Sequence, residues 1–232
     1  MTIATRESVI KPGMFGVAVS ADSRRQEFDF GNEQLLLAGV QPDAVFIGDS
    51  ITHLWELQAY FGGTGKILVN RGIGGDVTTF VRKRFAADAL QLRPRLIAMK
   101  IGTNDLGWGV EQLDDGNSDT VCDNIAVMAA EARAAGISLA LCSILPVWGP
   151  SWYPCEEFTT RKNAQIVAVN ARLRTIAEEA GAIYVDYHSR MVGADGQLPR
   201  EYADDGVHPH AVGYSMMARV LRETLAGRGI TI

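Results

Sequence analysis

Four short stretches bring glycine together with side chains able to move protons or stabilise charge. They are Gly48-Asp49-Ser50-Ile51-Thr52, Asn70-Arg71-Gly72-Ile73-Gly74-Gly75-Asp76, Gly102-Thr103-Asn104-Asp105 and Asp204-Asp205-Gly206-Val207-His208-Pro209-His210. The pair Asp205 and His208 is pre-shaped for a base and its orienter. Their spacing, with Gly206 between, lets a turn carry the carboxylate to the imidazole Nδ1, while Pro209 biases His208 toward an extended backbone. A carboxylate on Nδ1–H leaves Nε2 as an acceptor for the proton of a serine hydroxyl. In isolation the same spacing more often marks a loop aspartate bonded to its own backbone beside a surface histidine.

Ser50 stands where an apolar run turns into a segment carrying Ile51, Leu54 and Trp55. Taken alone, it reads as a helix N-cap before it reads as a nucleophile. Thr52 breaks the G-x-S-x-G pattern, so the nucleophile elbow of α/β-hydrolases is not indicated. The run Gly72-Ile73-Gly74-Gly75 fails as a dinucleotide fingerprint because position 77 is Val. A better use is a tight loop presenting backbone N–H groups to developing negative charge at the start of a helix over 76–90. Asn104 adds a side-chain amide, although asparagine in such a glycine-flanked stretch is also a common turn residue. Together these residues supply what acyl transfer through a serine requires: a nucleophile, a base with its orienter, and donors for an oxyanion.

The elements that must position these groups are readable by pattern. Apolar runs at Ala44–Ile47, Ile67–Val69, Leu96–Ile101, Leu139–Ile144 and Ile183–Val185 alternate with helical periodicity, the mark of βαβ units around a parallel sheet. One helical stripe is Val121, Ile125, Met128, Ala129 and Ala132, ending at Gly136; another is Ile166, Val169, Leu173, Ile176 and Ala180, ending at Gly181. A last helix runs from near Ala211 to near Gly227, with Met216 and Met217 as core filler. Residues 23–37 read as a helix within an N-terminal extension, 1–40, packed on a single domain spanning 41–232. In such a sheet, active residues gather beyond the carboxyl ends of the strands, where three of the four glycine-bearing stretches lie.

Composition narrows the partners. The 232 residues are 47% apolar and carry 22 basic against 27 acidic side chains, a net charge of −5. That balance gives no footprint for nucleic acid or anionic lipid. The densest basic run, Arg82-Lys83-Arg84, reads as the solvated face of a helix whose other face carries Val77, Phe80, Val81 and Phe85. No window approaches the ~18 apolar residues of a membrane span. Cys122, Cys142 and Cys155 are odd in number and lack C-x-x-C spacing, which points to a reducing, cytoplasmic setting unless a signal peptide has been removed. Whether copies of the chain associate as a homo-oligomer is left open.

The ordered set of motifs resembles the SGNH, or GDSL, hydrolase family. Gly48-Asp49-Ser50 is similar to its block I, Asn70-x-Gly72-x-x-Gly75 to block II, Gly102-x-Asn104-Asp105 to block III and Asp205-x-x-His208 to block V. The stretches 42–50 and 72–78 look closest to the branch holding platelet-activating-factor acetylhydrolases and bacterial esterases of acetylated carbohydrates. The resemblance implies a three-layer, flavodoxin-like α/β sandwich with a five-stranded parallel sheet. It also implies Ser50 as nucleophile, His208 as base and Asp205 as orienter. The oxyanion hole would consist of the Ser50 and Gly75 N–H groups and the Asn104 amide, with neither metal nor organic cofactor.

The expected substrate is a short-chain, acetyl-type ester, small or carried on a saccharide. Trp108, Trp148, Trp152 and Tyr153 lie in loops after strands and are equally suited to lining a pocket and to packing those loops. His53 and His210 are rival bases, though Asp49, four residues before His53, should lie under the sheet end. Because an imidazolium cannot accept the serine proton, turnover is expected to fall on the acid side of neutrality. Two other readings stand beside this one. Asp49 and Asp105 could hold Mg²⁺ in a phosphoryl-transfer or receiver-like domain, or the fold could serve a non-catalytic interaction protein.

Overall fold

The computed structural model describes residues 5–108, 115–150, 152 and 155–232. After a short 3₁₀ turn at Ser20–Arg24 come helix α1 (Arg25–Leu37), strand β1 (Ala44–Gly48), helices α2 (Ser50–His53) and α3 (Leu57–Phe61), strand β2 (Leu68–Gly72) and helix α4 (Thr78–Asp88). The chain continues through β3 (Leu96–Lys100), α5 (Asp115–Ala134), β4 (Ser138–Cys142), α6 (Glu156–Ala180), β5 (Ile183–Val185), α7 (Tyr187–Met191) and α8 (Ala211–Ala226). All pairings are parallel, in the order β2-β1-β3-β4-β5.

Strand β1 is apolar throughout because both faces of the sheet are covered there. Along β1, Val45 and Ile47 pack with Val81 and Phe85 of α4, Ile125 and Met128 of α5 and Ile166 and Val169 of α6. The alternate residues Ala44 and Phe46 face Trp55, Phe61, Tyr187 and, from α8, Met217 and Leu221. The result is the three-layer α/β sandwich that the family resemblance implies. Its strand order reverses between β1 and β3, and a crevice opens at such a point beyond the carboxyl ends of the strands. Ser50 follows β1 by two residues and Asn104 follows β3 by four.

Several boundaries differ from the sequence reading, each for a local reason. The helix expected over 76–90 begins at Thr78, because Asp76 closes a turn onto the Ile73 carbonyl and Val77 is extended. The fourth strand stops at Cys142 rather than Ile144. Beyond it, Asn170 of α6 bonds both the N–H and the carbonyl of Ile144, at 2.8 and 2.9 Å, in place of a neighbouring strand. The basic run is also corrected. Arg82 and Lys83 are exposed, but Arg84 is fully buried, and its acidic partners Asp76 and Asp88 are buried with it. No described helix is long and apolar enough to cross a membrane.

Candidate active site

The first turn of α2 is capped by Asp49, whose Oδ1 accepts the Ile51 N–H at 3.0 Å. This overturns the reading of Ser50 as the cap, and it leaves the serine hydroxyl available. Ser50 Oγ lies 2.8 Å from His208 Nε2, and His208 Nδ1 lies 2.6 Å from Asp205 Oδ2. The other carboxylate oxygen, Oδ1, accepts the backbone N–H groups of Val207 and His208 at 2.9 and 2.8 Å. Burial raises the Asp205 pKa, but the bonds from the His208 ring and from these two N–H groups outweigh it, so the carboxyl sits below its usual range. It is therefore ionised at neutral pH and holds the imidazole with Nε2 toward the serine.

The neighbouring candidates separate cleanly. Asp204 is exposed and stands 3.9 Å from His210, whose Nδ1 accepts the Val212 N–H at the start of α8. His53 Nδ1 accepts the Gly74 N–H at 3.2 Å, and Asp49 faces away from it, with Oδ2 3.1 Å from Lys100 Nζ. Asp105 Oδ1 accepts the Thr78 N–H at 2.8 Å, capping α4 from a distance. Asp49 and Asp105 are thus tied to Lys100 and Thr78 rather than facing a shared cation, and no cluster of metal-ligating side chains occurs among the described residues.

Block II owes its glycines to close approach and to backbone sign. A Cβ on Gly72 would meet the His53 nitrogen at 2.1 Å, so only glycine lets β2 pass beneath α2. Gly75 has φ +74°, and among the described residues its N–H has no hydrogen-bond partner. Asn70 ties the strand to the helix, donating to the carbonyls of Thr52 and Trp55 at 2.8 and 3.1 Å. Asn104 Nδ2 donates to the Asp76 carbonyl at 2.9 Å, which joins block III to the residue after Gly75.

Charged side chains to which the sequence reading gave no role at the site fix this loop. Arg84 donates to Asp76 Oδ2 (2.8 Å), Asp88 Oδ2 (3.0 Å), the Arg71 carbonyl (2.9 Å) and the Gly48 carbonyl (3.1 Å). Burial pushes the Asp76 carboxyl up to about 6, against the pull of Arg84. Lys162, fully buried on α6, donates to the carbonyls of Thr103 and Gly107 at 2.9 and 2.6 Å and lies 4.5 Å from the Trp108 ring. Trp108 Nε1 in turn donates to Asn104 Oδ1 at 3.2 Å, directing the amide nitrogen to the other side. A lysine inside an amphipathic helix carries no local sign of such a role.

The aromatic candidates divide. Trp152 is half-exposed, with its ring 6.2 Å from that of His208 and 5.5 Å from that of Trp108. Trp148 instead supports the loop that carries Asp205 and His208. Its N–H donates to the Gly206 carbonyl, its Nε1 to the Ala203 carbonyl, and Arg200 covers its ring at 4.3 Å. Tyr153 lies outside the described residues.

The chain is similar in sequence and fold to known proteins. The human platelet-activating factor acetylhydrolase IB subunit alpha1 is 29% identical over 189 residues, which span 80% of this chain and 76% of that one. An acetylxylan esterase from Xylanibacter ruminicola is 26% identical over 176 residues, 69% of this chain and 34% of that longer protein. Among solved structures, a GDSL-like lipase from Bacteroides thetaiotaomicron superposes with a TM-score of 0.74 at 30% identity, covering 88% of this chain and 97% of its own. Residues 46–216, from β1 into α8, match the GDSL-like lipase/acylhydrolase family; the chain belongs to that family and is a carboxylic ester hydrolase.

Proposed function

We propose that the chain hydrolyses short acyl esters, acetyl esters foremost, through Ser50, His208 and Asp205. The observation carrying this reading is the unbroken line from Asp205 Oδ2 through the imidazole to Ser50 Oγ, at 2.6 and 2.8 Å. His208 Nε2 takes the hydroxyl proton as Oγ attacks the ester carbonyl, and the carbonyl oxygen takes up the negative charge. Collapse of this adduct breaks the bond to the alcohol, which leaves with the proton from Nε2. Water, deprotonated by the same nitrogen, then releases the acid and restores Ser50. Asp205 stays ionised throughout.

The N–H groups of Ser50 and Gly75 and the second Nδ2 hydrogen of Asn104 would receive the oxyanion. The unpartnered Gly75 N–H and the tie from Asn104 to the adjacent Asp76 support that assignment. Trp152, with Trp108 behind it, forms the wall against which an acyl group or a sugar ring would rest. The names of two relatives, platelet-activating factor acetylhydrolase and acetylxylan esterase, both specify an acetyl ester, which supports the choice of acetyl groups here. Three unpaired thiols suit a reducing compartment, and we place the activity in the cytoplasm on that ground. The N-terminal segment 1–40 is read as an extension of one catalytic domain.

The test is turnover on p-nitrophenyl acetate, longer p-nitrophenyl esters and acetylated xylo-oligosaccharides, comparing the wild type with Ser50→Ala. Acetyl esters should be hydrolysed fastest, and Ser50→Ala should abolish turnover. Activity that survives Ser50→Ala removes the triad, and equal rates on long chains remove the preference for acetyl esters.

A further inference from the structure

The family match starts at residue 46, yet side chains from well before it reach the loop that carries Gly75. Arg24 Nη1 donates to the Gly72 carbonyl at 3.0 Å. Ser20 fills the space beside Gly75, since a Cβ on that glycine would lie 2.9 Å from Ser20 Oγ. Behind them, Arg25 is fully buried and pairs with Asp88, the carboxylate that also receives Arg84 Nη1. Asn32 completes the set. Its Oδ1 accepts Arg71 Nη2 at 2.8 Å, and its Nδ2 donates to Asp88 Oδ1 at 2.9 Å.

These contacts exceed what attachment of a helix needs, and they converge. Directly or through Arg84 and Arg71, they end on the carbonyls of Gly48, Asn70, Arg71 and Gly72, the last residues of β1 and β2. Those strand ends feed Ser50 and Gly75. A loop holding three glycines in four residues has little stiffness of its own, whereas an oxyanion donor works only if its position is fixed before charge develops. His53 holds the Gly74 N–H from one direction. Arg24 holds Gly72 from another, itself oriented by Glu27 (Nε to Oε2, 2.8 Å) and by the Phe28 ring 4.7 Å away.

We propose that the segment from Ser20 to Asn32 is a working part of the active site, and that Arg24 is a positioning residue for the oxyanion loop 72–75. This rests on the reading of the Gly75 N–H as an oxyanion donor. Arg24 touches no reacting atom. Its guanidinium fixes the Gly72 peptide and so aims the N–H three residues on.

Arg24 sits near the surface, so it can be changed without opening the core. Wild type, Arg24→Gln and Arg24→Lys would be compared for kcat and KM on p-nitrophenyl acetate, inhibition by phenylboronic acid, and Tm. The boronic acid probes the hole because its serine adduct is tetrahedral and anionic. Arg24→Gln should lower kcat about tenfold and weaken the boronic acid by a similar factor. KM and Tm should hold, and Arg24→Lys should recover part of the loss. An unchanged kcat, or a loss of kcat that follows a loss of Tm, overturns the proposal. If Ser50→Ala is inactive while Arg24→Gln is normal, only the Arg24 role fails; if Ser50→Ala is active, the serine mechanism beneath it fails.

Discussion

The two halves of the site are built by opposite means. The base half is local: Asp205 and His208 lie within one turn, and Asp205 Oδ1 satisfies two N–H groups of its own loop. The oxyanion half is held from outside. Arg84 of α4, Lys162 of α6, Arg24 before α1 and Asn104 after β3 all donate to backbone carbonyls in or beside the glycine loops. The difference has a physical origin. A base loop may spend its hydrogen bonds on itself, but a loop that must present bare N–H groups to substrate cannot, so its rigidity has to be imported. Importing it costs buried charge: Arg25, Arg84, Asp76, Asp88 and Lys162 are all fully buried.

The sharpest way to break this contrast is at the base half. Asp205→Asn leaves the loop turn largely intact but no longer fixes the imidazole tautomer, so kcat should fall by about 10³–10⁴ with little change in Tm. Asp204→Asn, one residue earlier and facing His210, should leave kcat within about threefold of wild type, since an exposed pair contributes little. Steady-state kinetics on p-nitrophenyl acetate distinguish them. Equal losses would mean that the base half is not the local device described.

Asn104→Ala is the corresponding cut in the oxyanion half. Removing one preorganised donor typically costs about 2.7–4 kcal/mol, a fall of roughly 10²–10³ in kcat. The substitution also severs the tie to the Asp76 carbonyl, so the loss should come with a reduced Tm, unlike that of Asp205→Asn. Thermal melts beside the kinetics test this, and an unchanged Tm would show that the loop is held without Asn104.

The same contrast explains what could be read from the sequence. Asp205-x-x-His208 is legible because its partners are neighbours and its chemistry is carried by residue type. The sheet is legible because burial on both faces leaves strands such as Ala44–Gly48 apolar throughout. Arg84 and Lys162 are not. Each lies in a helix among polar residues, where a basic side chain ordinarily marks the solvated face. Arg84 is turned inward by the carboxylates of Asp76 and Asp88 and the carbonyls of Gly48 and Arg71, and Lys162 by carbonyls of the loop after β3. Ser50 shows the intermediate case: its position after β1 is readable, but that Asp49 relieves it of the capping role depends on side-chain geometry.

Lys162→Met probes the smallest of these effects and does so on two readouts. The side chain reaches Asn104 only through Trp108 and the Thr103 and Gly107 carbonyls, so kcat should fall about tenfold, less than for Asn104→Ala. Combined with Asn104→Ala, it should add little, because both act on one donor. The second readout is the pH dependence of stability. Burial lowers the Lys162 pKa to about 7, partly countered by Asp105 and reinforced by Lys100, from 10.5 in the unfolded chain. Between those values unfolding takes up a proton, so this residue makes the fold more stable as pH rises from about 7 toward 10.5. The neutral amine keeps two N–H groups, enough for both carbonyls, so the loop survives the deprotonation. Denaturant melts at both ends of that window should therefore show a rise in stability in the wild type that is smaller in Lys162→Met. An equal rise in both would mean that Lys162 carries its charge in the folded chain, with the Trp108 ring and two carbonyls sufficient to hold it.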